Sequence, residues 1–243
     1  GIEVLRVPVG YWLFDAPKPF VTGSDDYIEQ LFAWADEFKL QIILDVHAAP
    51  GSQNGWDHSG QAGEIRWTES QNIEATLVFI EELVDRYGDR LSLFGIEALN
   101  EPHWDIPIDT LIDYYLRSYR IIDRKCPSRV KVICSDSFRP DQLSKRLSAE
   151  QLERLVMDVH LYQLYTSEDR ALDLNGHLKK ATREWSGLLS RLSKRLPVMV
   201  GEWSAAMDEQ SQTYVCQDYE RYFKSQSVTF EDCTIGWTYW TAR

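Results

Sequence analysis

The sequence is short of positive charge. Against 38 Asp and Glu it carries 26 Lys and Arg, for a formal net charge of −12 at pH 7. A nucleic-acid partner would need a basic face to neutralise phosphates, so none is expected. A neutral ligand such as a sugar is compatible with this balance. Long apolar runs are also missing. None approaches the ~20 residues that a helix needs to cross a bilayer, and no membrane partner is expected. No Gly-rich phosphate turn follows any strand-like run, which weakens a nucleotide-binding reading. The four cysteines, Cys126, Cys134, Cys216 and Cys233, match no zinc spacing. Three pairings are open to them, and free buried thiols are an equal reading. No signal segment is visible, because residue 1 already opens a strand pattern. No linker, repeat or low-complexity tract interrupts the chain, so one domain over 1–243 is expected.

What is present is an alternation of strands and helices. The 243 residues suffice for one large α/β domain. Apolar runs of strand length cover 2–10, 41–47, 90–101, 129–135, 156–162, 197–203 and 233–240. Between them the apolar spacing predicts helices over 25–40 (Ile28, Leu31, Phe32, Ala35 and Phe38 on one face), 68–88, 109–125, 175–195 and 209–225. A short, broken helical stretch covers 140–155. Ser70 or Thr68 is the expected cap of the second helix, and Gly88 its end. Such alternation implies right-handed parallel crossovers, in an open doubly wound sheet or in a barrel. Polar residues end six of these seven runs. That favours a barrel with a shared site at the strand C-termini. The expected fold is therefore a (β/α)8 TIM barrel. With seven strands visible, it lacks the first strand and the last helix and reads as a fragment.

Two strand ends carry the chemistry. In GIEALNEPHW (95–104) an apolar strand, Gly95 to Leu99, gives way to Asn100 and Glu101, and Pro102 stops it for want of an N–H. LPVMVGEWS (196–204) has the same form and delivers Glu202. Glycoside hydrolysis needs a carboxylic acid to protonate the leaving oxygen and a carboxylate on the other side of the anomeric carbon. A lone glutamate at a strand end is ordinarily a surface or ion-paired residue. Two of them, with Asn100 and the His-bearing strands of His47 and His160, make a site. The loop AAPGSQNGWDHSGQAG (48–63) is long for a strand-to-helix connection, and such loops are usually functional. Nine Trp and twelve Tyr are many for this length. Most fill cores, but flat aromatic faces also stack on sugar rings.

These residues match a family. RVPVGYW (6–12), LDVHAAPGSQNGWDHSG (44–60), GIEALNEP (95–102), DVHLY (158–162), GEWS (201–204) and GWTYW (236–240) resemble glycoside hydrolase family 5. Within it they look most like the exo-β-1,3-glucanase branch, and the long His–Ala–Pro–Gly–Ser–Gln–Asn–Gly loop is the most specific element. The resemblance implies a retaining enzyme on a TIM barrel, with Glu101 as acid/base and Glu202 as nucleophile. Arg6 is expected beneath Glu202, keeping it ionised, or paired with Glu97. His47, His160 and Tyr162 would line a glucose subsite, and Asn100 would bond the 2-hydroxyl. Trp240 would floor the sugar, with Trp237 as a rival that fits the core better. No metal or cofactor is required.

The implied substrate is β-1,3-glucan or an oligosaccharide, attacked from one end. The alternatives are endo-attack on β-1,4 or mixed-linkage glucan, and a non-catalytic glycan-binding barrel. A monomer at an extracellular or cell-envelope location is favoured. The sequence departs from the family in its missing first strand, in ending after the last motif, and in Ala48 where relatives tend to carry Gly.

Overall fold

In the computed structural model, which describes residues 1–147, 152–208 and 213–241, six apolar runs form β-strands and helices separate them. The chain divides into two units, Gly1–Val156 and Met157–Arg243.

In the first unit β1 (Val4–Gly10), β2 (Gln41–Ala48), β3 (Leu93–Glu97) and β4 (Lys131–Ser135) pair in sequence order, all parallel. Helices α1 (Asp25–Phe38), α2 (Ser70–Tyr87) and α3 (Ile108–Lys125) connect them, and α4 (Pro140–Arg146) follows β4. Five consecutive residues of β2, Ile42 to Val46, are buried, as a parallel strand covered on both faces requires. Each helix contributes an apolar stripe. Ile28, Phe32 and Ala35 are buried in α1, and Ile73, Leu77, Ile80, Leu83 and Val84 in α2. Each such side chain contributes roughly 1.5–3 kcal/mol when fully buried.

Helix α3 also fixes the strand ends that matter below. Its buried Tyr114 donates to the Ala98 carbonyl at 2.7 Å, and Tyr115 to the Ser135 carbonyl at 2.8 Å. Burial pushes both phenols well above their ordinary value, so both remain donors.

Two expectations for this unit need correction. The third strand ends at Glu97, not Leu99. Beyond it the N–H of Ala98 bonds Ile133 on one side, and that of Asn100 bonds Val46 on the other, both at 2.9 Å. The backbone thus turns out of the ladder before Pro102. The expected Ser70 or Thr68 cap of α2 is absent: Glu69 occupies that position with no side-chain cap bond. Of the broken helix over 140–155, α4 is present, while 148–151 lie outside the described residues.

In the second unit β5 (Leu155–Leu161, which crosses the division) pairs parallel with β6 (Val198–Trp203). The register shifts between Val159 and His160, so His160 stands opposite Glu202. Between these strands run α5 (Ser167–Arg170), α6 (Leu174–Lys179), a π-turn (Lys180–Trp185) and α7 (Ser186–Leu192). The last three make the single helix expected over 175–195. Helix α5, capped by Thr166, was not anticipated.

The helix expected over 209–225 is α8, Cys216–Cys233. Its start is set by Asp218, which accepts the Val215 N–H at 3.1 Å; 209–212 lie outside the described residues. The seventh strand, 233–240, is corrected to an isolated bridge between Val200 and Trp237. Helix α8 takes its first residue, and beyond it the N–H groups of Ile235 and Thr238 bond the Val198 and Val200 carbonyls while the Val200 N–H bonds the Gly236 carbonyl, a short parallel stretch beside β6. The core here centres on fully buried Trp203. Phe223, Phe230, Trp237 and Tyr239 pack on it with ring centroids 5.0–5.2 Å away.

Candidate active site

Each unit carries one half of the expected residue set. In the first, Asp45 and His47 lie two apart on β2 and share a face of the strand. His47 Nδ1 is 2.7 Å from Asp45 Oδ2, and the same oxygen is 3.2 Å from Arg6 Nη2. Arg6, on β1, also donates from Nε to Glu97 Oε2 and from Nη2 to Asn100 Oδ1, both at 2.7 Å. Its side chain is 3% exposed. A buried guanidinium needs anionic or carbonyl partners around its whole fork, and Asp45, Glu97 and Asn100 supply them. The expected Arg6–Glu97 pair is thus present. The bond from Arg6 also fixes which way the Asn100 amide points. Asn100 Nδ2 is then a buried donor with no hydrogen-bond partner among the described residues. Such a donor costs free energy unless a ligand oxygen meets it.

Glu101 follows, 9% exposed and with φ at 43°. A non-glycine residue is held in this left-handed region only when its surroundings over-determine it. The long loop does so. Asn54 Nδ2 donates to the Glu101 carbonyl at 3.1 Å, and Gln53 Nε2 to the Asn100 and His47 carbonyls at 2.9 and 2.8 Å. The His103 N–H bonds the Gln53 carbonyl at 3.0 Å. On the far side Ser137 Oγ donates to the Pro102 carbonyl at 2.8 Å. Loop 48–63 is therefore a fixed wall, carrying His58, whose Nε2 is 3.4 Å from Glu101 Oε2.

Next to it Trp56, Trp104 and Phe138 form a triangle with ring centroids 5.9–6.0 Å apart. Trp104 is 48% and Phe138 39% exposed, so this triangle presents apolar ring faces to solvent.

In the second unit Glu202, on β6, is 6% exposed. Tyr162 donates its hydroxyl to Glu202 Oε2 at 3.0 Å, and His160 Nδ1 is 3.7 Å from the same oxygen. The other imidazole nitrogen of His160 is 3.3 Å from Asp158 Oδ2. Asp158 Oδ1 accepts the N–H of Gly201 at 2.5 Å. Trp240 is 38% exposed, and its backbone N–H bonds the Trp203 carbonyl at 2.9 Å. Trp237 is half-buried against Trp203 and Phe223, which makes it the core residue of the two.

The structure therefore gathers Arg6, His47 and Asn100, with Glu101 beside them, in one unit. It gathers His160, Tyr162 and Glu202 in the other. The sequence reading missed Asp45, Asp158, His58 and the Trp56–Trp104–Phe138 triangle. The two aspartates had a signal: Asp-Val-His occurs at 45–47 and again at 158–160, and two-residue spacing on a strand puts carboxylate and imidazole side by side. All four cysteines are free thiols, with Cys126 and Cys134 buried and Cys216 exposed.

With this geometry in hand, known proteins give three comparisons. The model of the cellulase family, glycosyl hydrolase family 5, matches residues 1–243. Glucan 1,3-beta-glucosidase 1 of Schizosaccharomyces pombe is 30% identical over 271 aligned residues, covering 100% of this chain and 66% of that protein. An Aspergillus niger protein named "Probable glucan 1,3-beta-glucosidase A" is 33% identical over 214 residues, covering 86% of this chain and 50% of that protein. The chain thus spans half to two thirds of the length of these relatives. Among solved structures, the rutinosidase from Aspergillus niger has a TM-score of 0.81 at 23% identity, covering 100% of this chain and 71% of that one. That likeness is one of fold.

Proposed function

Because the chain belongs to the cellulase family, glycosyl hydrolase family 5, we propose that it acts as a retaining β-glucosidic hydrolase, with Glu202 as nucleophile and Glu101 as acid/base. The observation that carries this reading is the pair of glutamates, one in the turn beyond β3 and one near the end of β6, each nine-tenths buried among polar partners. The likeness of fold over the whole chain supports one catalytic domain of the (β/α) barrel type.

The steps follow from the groups. Glu202 attacks the anomeric carbon while Glu101 protonates the departing glycosidic oxygen, and a glycosyl ester forms on Glu202. Glu101 then takes a proton from water, which attacks the same carbon and releases the sugar with its configuration retained. Tyr162 holds Oε2 of the nucleophile. Asn100 Nδ2, oriented by Arg6, meets the sugar 2-hydroxyl, a bond that strengthens in the oxocarbenium-like transition state. His47 and His160, each braced by its aspartate, contact the other hydroxyls, and Trp240 offers a ring face beneath the sugar. Two carboxyl groups and water suffice for this chemistry. Retention requires the two carboxyl groups about 5–5.5 Å apart.

The proposed substrate is β-1,3-glucan, cleaved from its non-reducing end to glucose. The names of the relatives support the linkage. The fixed loop 48–63 supports exo-attack, since a rigid wall beside Glu101 can close one end of a cleft. The test is incubation with laminarin, a β-1,3-glucan, with products separated by chromatography. Glucose appearing one unit at a time from the first minutes is the expected result. A ladder of oligosaccharides favours endo-attack. Turnover of β-1,4 or mixed-linkage glucan with none of laminarin overturns the linkage.

A further inference from the structure

We propose that His58 is a positioning residue for Glu101, and this rests on the reading of Glu101 as the acid/base. The sequence motifs give His58 no role. The structure puts its Nε2 3.4 Å from Glu101 Oε2, with the His58 side chain 34% exposed and the Glu101 side chain 12% exposed. The placement is built rather than incidental. His58 sits on a single 3₁₀ turn, Asp57–Ser59. That turn is pinned by Ser59 Oγ, which is 2.6 Å from Ser52 Oγ and donates to the Trp56 carbonyl at 2.6 Å. Asn54 accepts the Trp56 N–H at 2.9 Å and donates to the Glu101 carbonyl at 3.1 Å. One residue therefore sets both the backbone that carries Glu101 and the turn that carries His58. Trp56 flanks the imidazole at 5.5 Å between ring centroids, and His47 lies 5.2 Å away. Titratable groups near His58 in the first unit include Glu101, His47 and the adjacent Asp57.

The chemistry assigned is orientation of the acid's proton. Neutral His58, protonated on Nε2, donates to Glu101 Oε2 and so leaves the acid proton on Oε1. From there the proton goes to the glycosidic oxygen as the C–O bond breaks. In the second half-reaction Oε1 takes a proton from water. His58 keeps its own proton throughout and takes no part in bond making. Its loss lets the acid proton sit on the wrong oxygen, which matters only when the leaving group needs that proton.

The test compares wild type, His58→Leu and His58→Gln on aryl β-glucosides with leaving groups from dinitrophenol to phenol, read as kcat/KM. His58→Leu is expected to lose about tenfold or more on the phenyl glucoside and little on the dinitrophenyl one. The amide of His58→Gln is expected to restore part of the loss. An equal loss across the series overturns the positioning role. A second measurement reads the pair without turnover. The His58 ring protons, titrated by NMR, are expected to give a lower pKa in Glu101→Gln than in wild type. An unchanged titration overturns the pairing. A wild-type chain silent toward every glucoside overturns the hydrolase reading, and the role of His58 with it. An equal loss across an active series overturns the role of His58 alone.

Discussion

Gly201→Ala is the sharpest test of how the cluster of Asp158, His160 and Glu202 in the second unit is built. A methyl group at 201 would lie 1.8 Å from Asp158 Oδ2 and 2.3 Å from both Oδ1 and Cγ. The Asp158 carboxylate occupies the space a side chain would need. It cannot yield freely, because Oδ1 holds the Gly201 N–H at 2.5 Å and Oδ2 faces His160 at 3.3 Å. Losing a hydrogen bond to a charged group costs about 1.5–3 kcal/mol, and overpacking a filled interior costs about 1–3 kcal/mol more. The expected sum is roughly 3–6 kcal/mol, a large part of a domain's ~5–15 kcal/mol. The melting temperature should fall by roughly 6–24 °C. Denaturant unfolding followed by tryptophan fluorescence measures it. In an Asp158→Ala background the clash is gone, so the same substitution should cost markedly less, with a coupling of about 2 kcal/mol or more. An unchanged midpoint for Gly201→Ala, or equal costs in the two backgrounds, would refute the reasoning.

Three further outcomes are expected. Tyr162→Phe removes the hydroxyl that holds Glu202 Oε2 and should lower kcat/KM on laminarin by roughly 10–100-fold without changing the unfolding midpoint; full activity would remove Tyr162 from the site. Burial lowers the pKa of His177, whose Nδ1 faces Gln163 Oε1 at 2.9 Å. The folded chain then stays neutral there while the unfolded chain takes a proton. This stabilisation is complete above the unfolded value near 6.5 and is lost as pH falls below it. Unfolding midpoints measured from pH 7.5 downward should therefore flatten in His177→Gln, and an identical acid slope would count against the assignment. In native protein a thiol reagent should label Cys216 quickly and spare Cys134 and Cys126, whose thiol burial pushes up to about 11. Rapid labelling of either buried thiol would contradict the packing.

How far the sequence spoke depended on the range of the forces involved. The strands and helices were legible because their apolar periodicity is local. Strand β2 and helix α3 came out within a residue or two of their expected bounds. Both glutamates and Asn100 were legible because a strand that turns polar at its end leaves a signature in consecutive residues. The seventh strand failed for the opposite reason. Residues 233–240 have strand-like composition, but how much of the run pairs beside β6 depends on how far α8 runs into it. The left-handed turn at Glu101 was hidden too, because it depends on Gln53 and Asn54, some fifty residues earlier. His58 stood in a loop already marked as functional, yet its contact with Glu101 is tertiary. The aspartates of the two Asp-Val-His runs were different. Their pairing with His47 and His160 is local and could have been read from the spacing alone.

The central claim is that Glu202 forms a covalent bond to the sugar. A 2-deoxy-2-fluoro-β-glucoside with an activated leaving group tests it most directly, because the fluorine slows both oxocarbenium-like steps while the leaving group speeds only formation of the glycosyl ester, which then accumulates. After incubation the protein is digested and the labelled peptide sequenced by mass spectrometry. The account predicts one added fluoroglucosyl group, on Glu202, and loss of activity in step with labelling. A label on Glu101, or an active enzyme that releases the inverted sugar and carries no label, would contradict it.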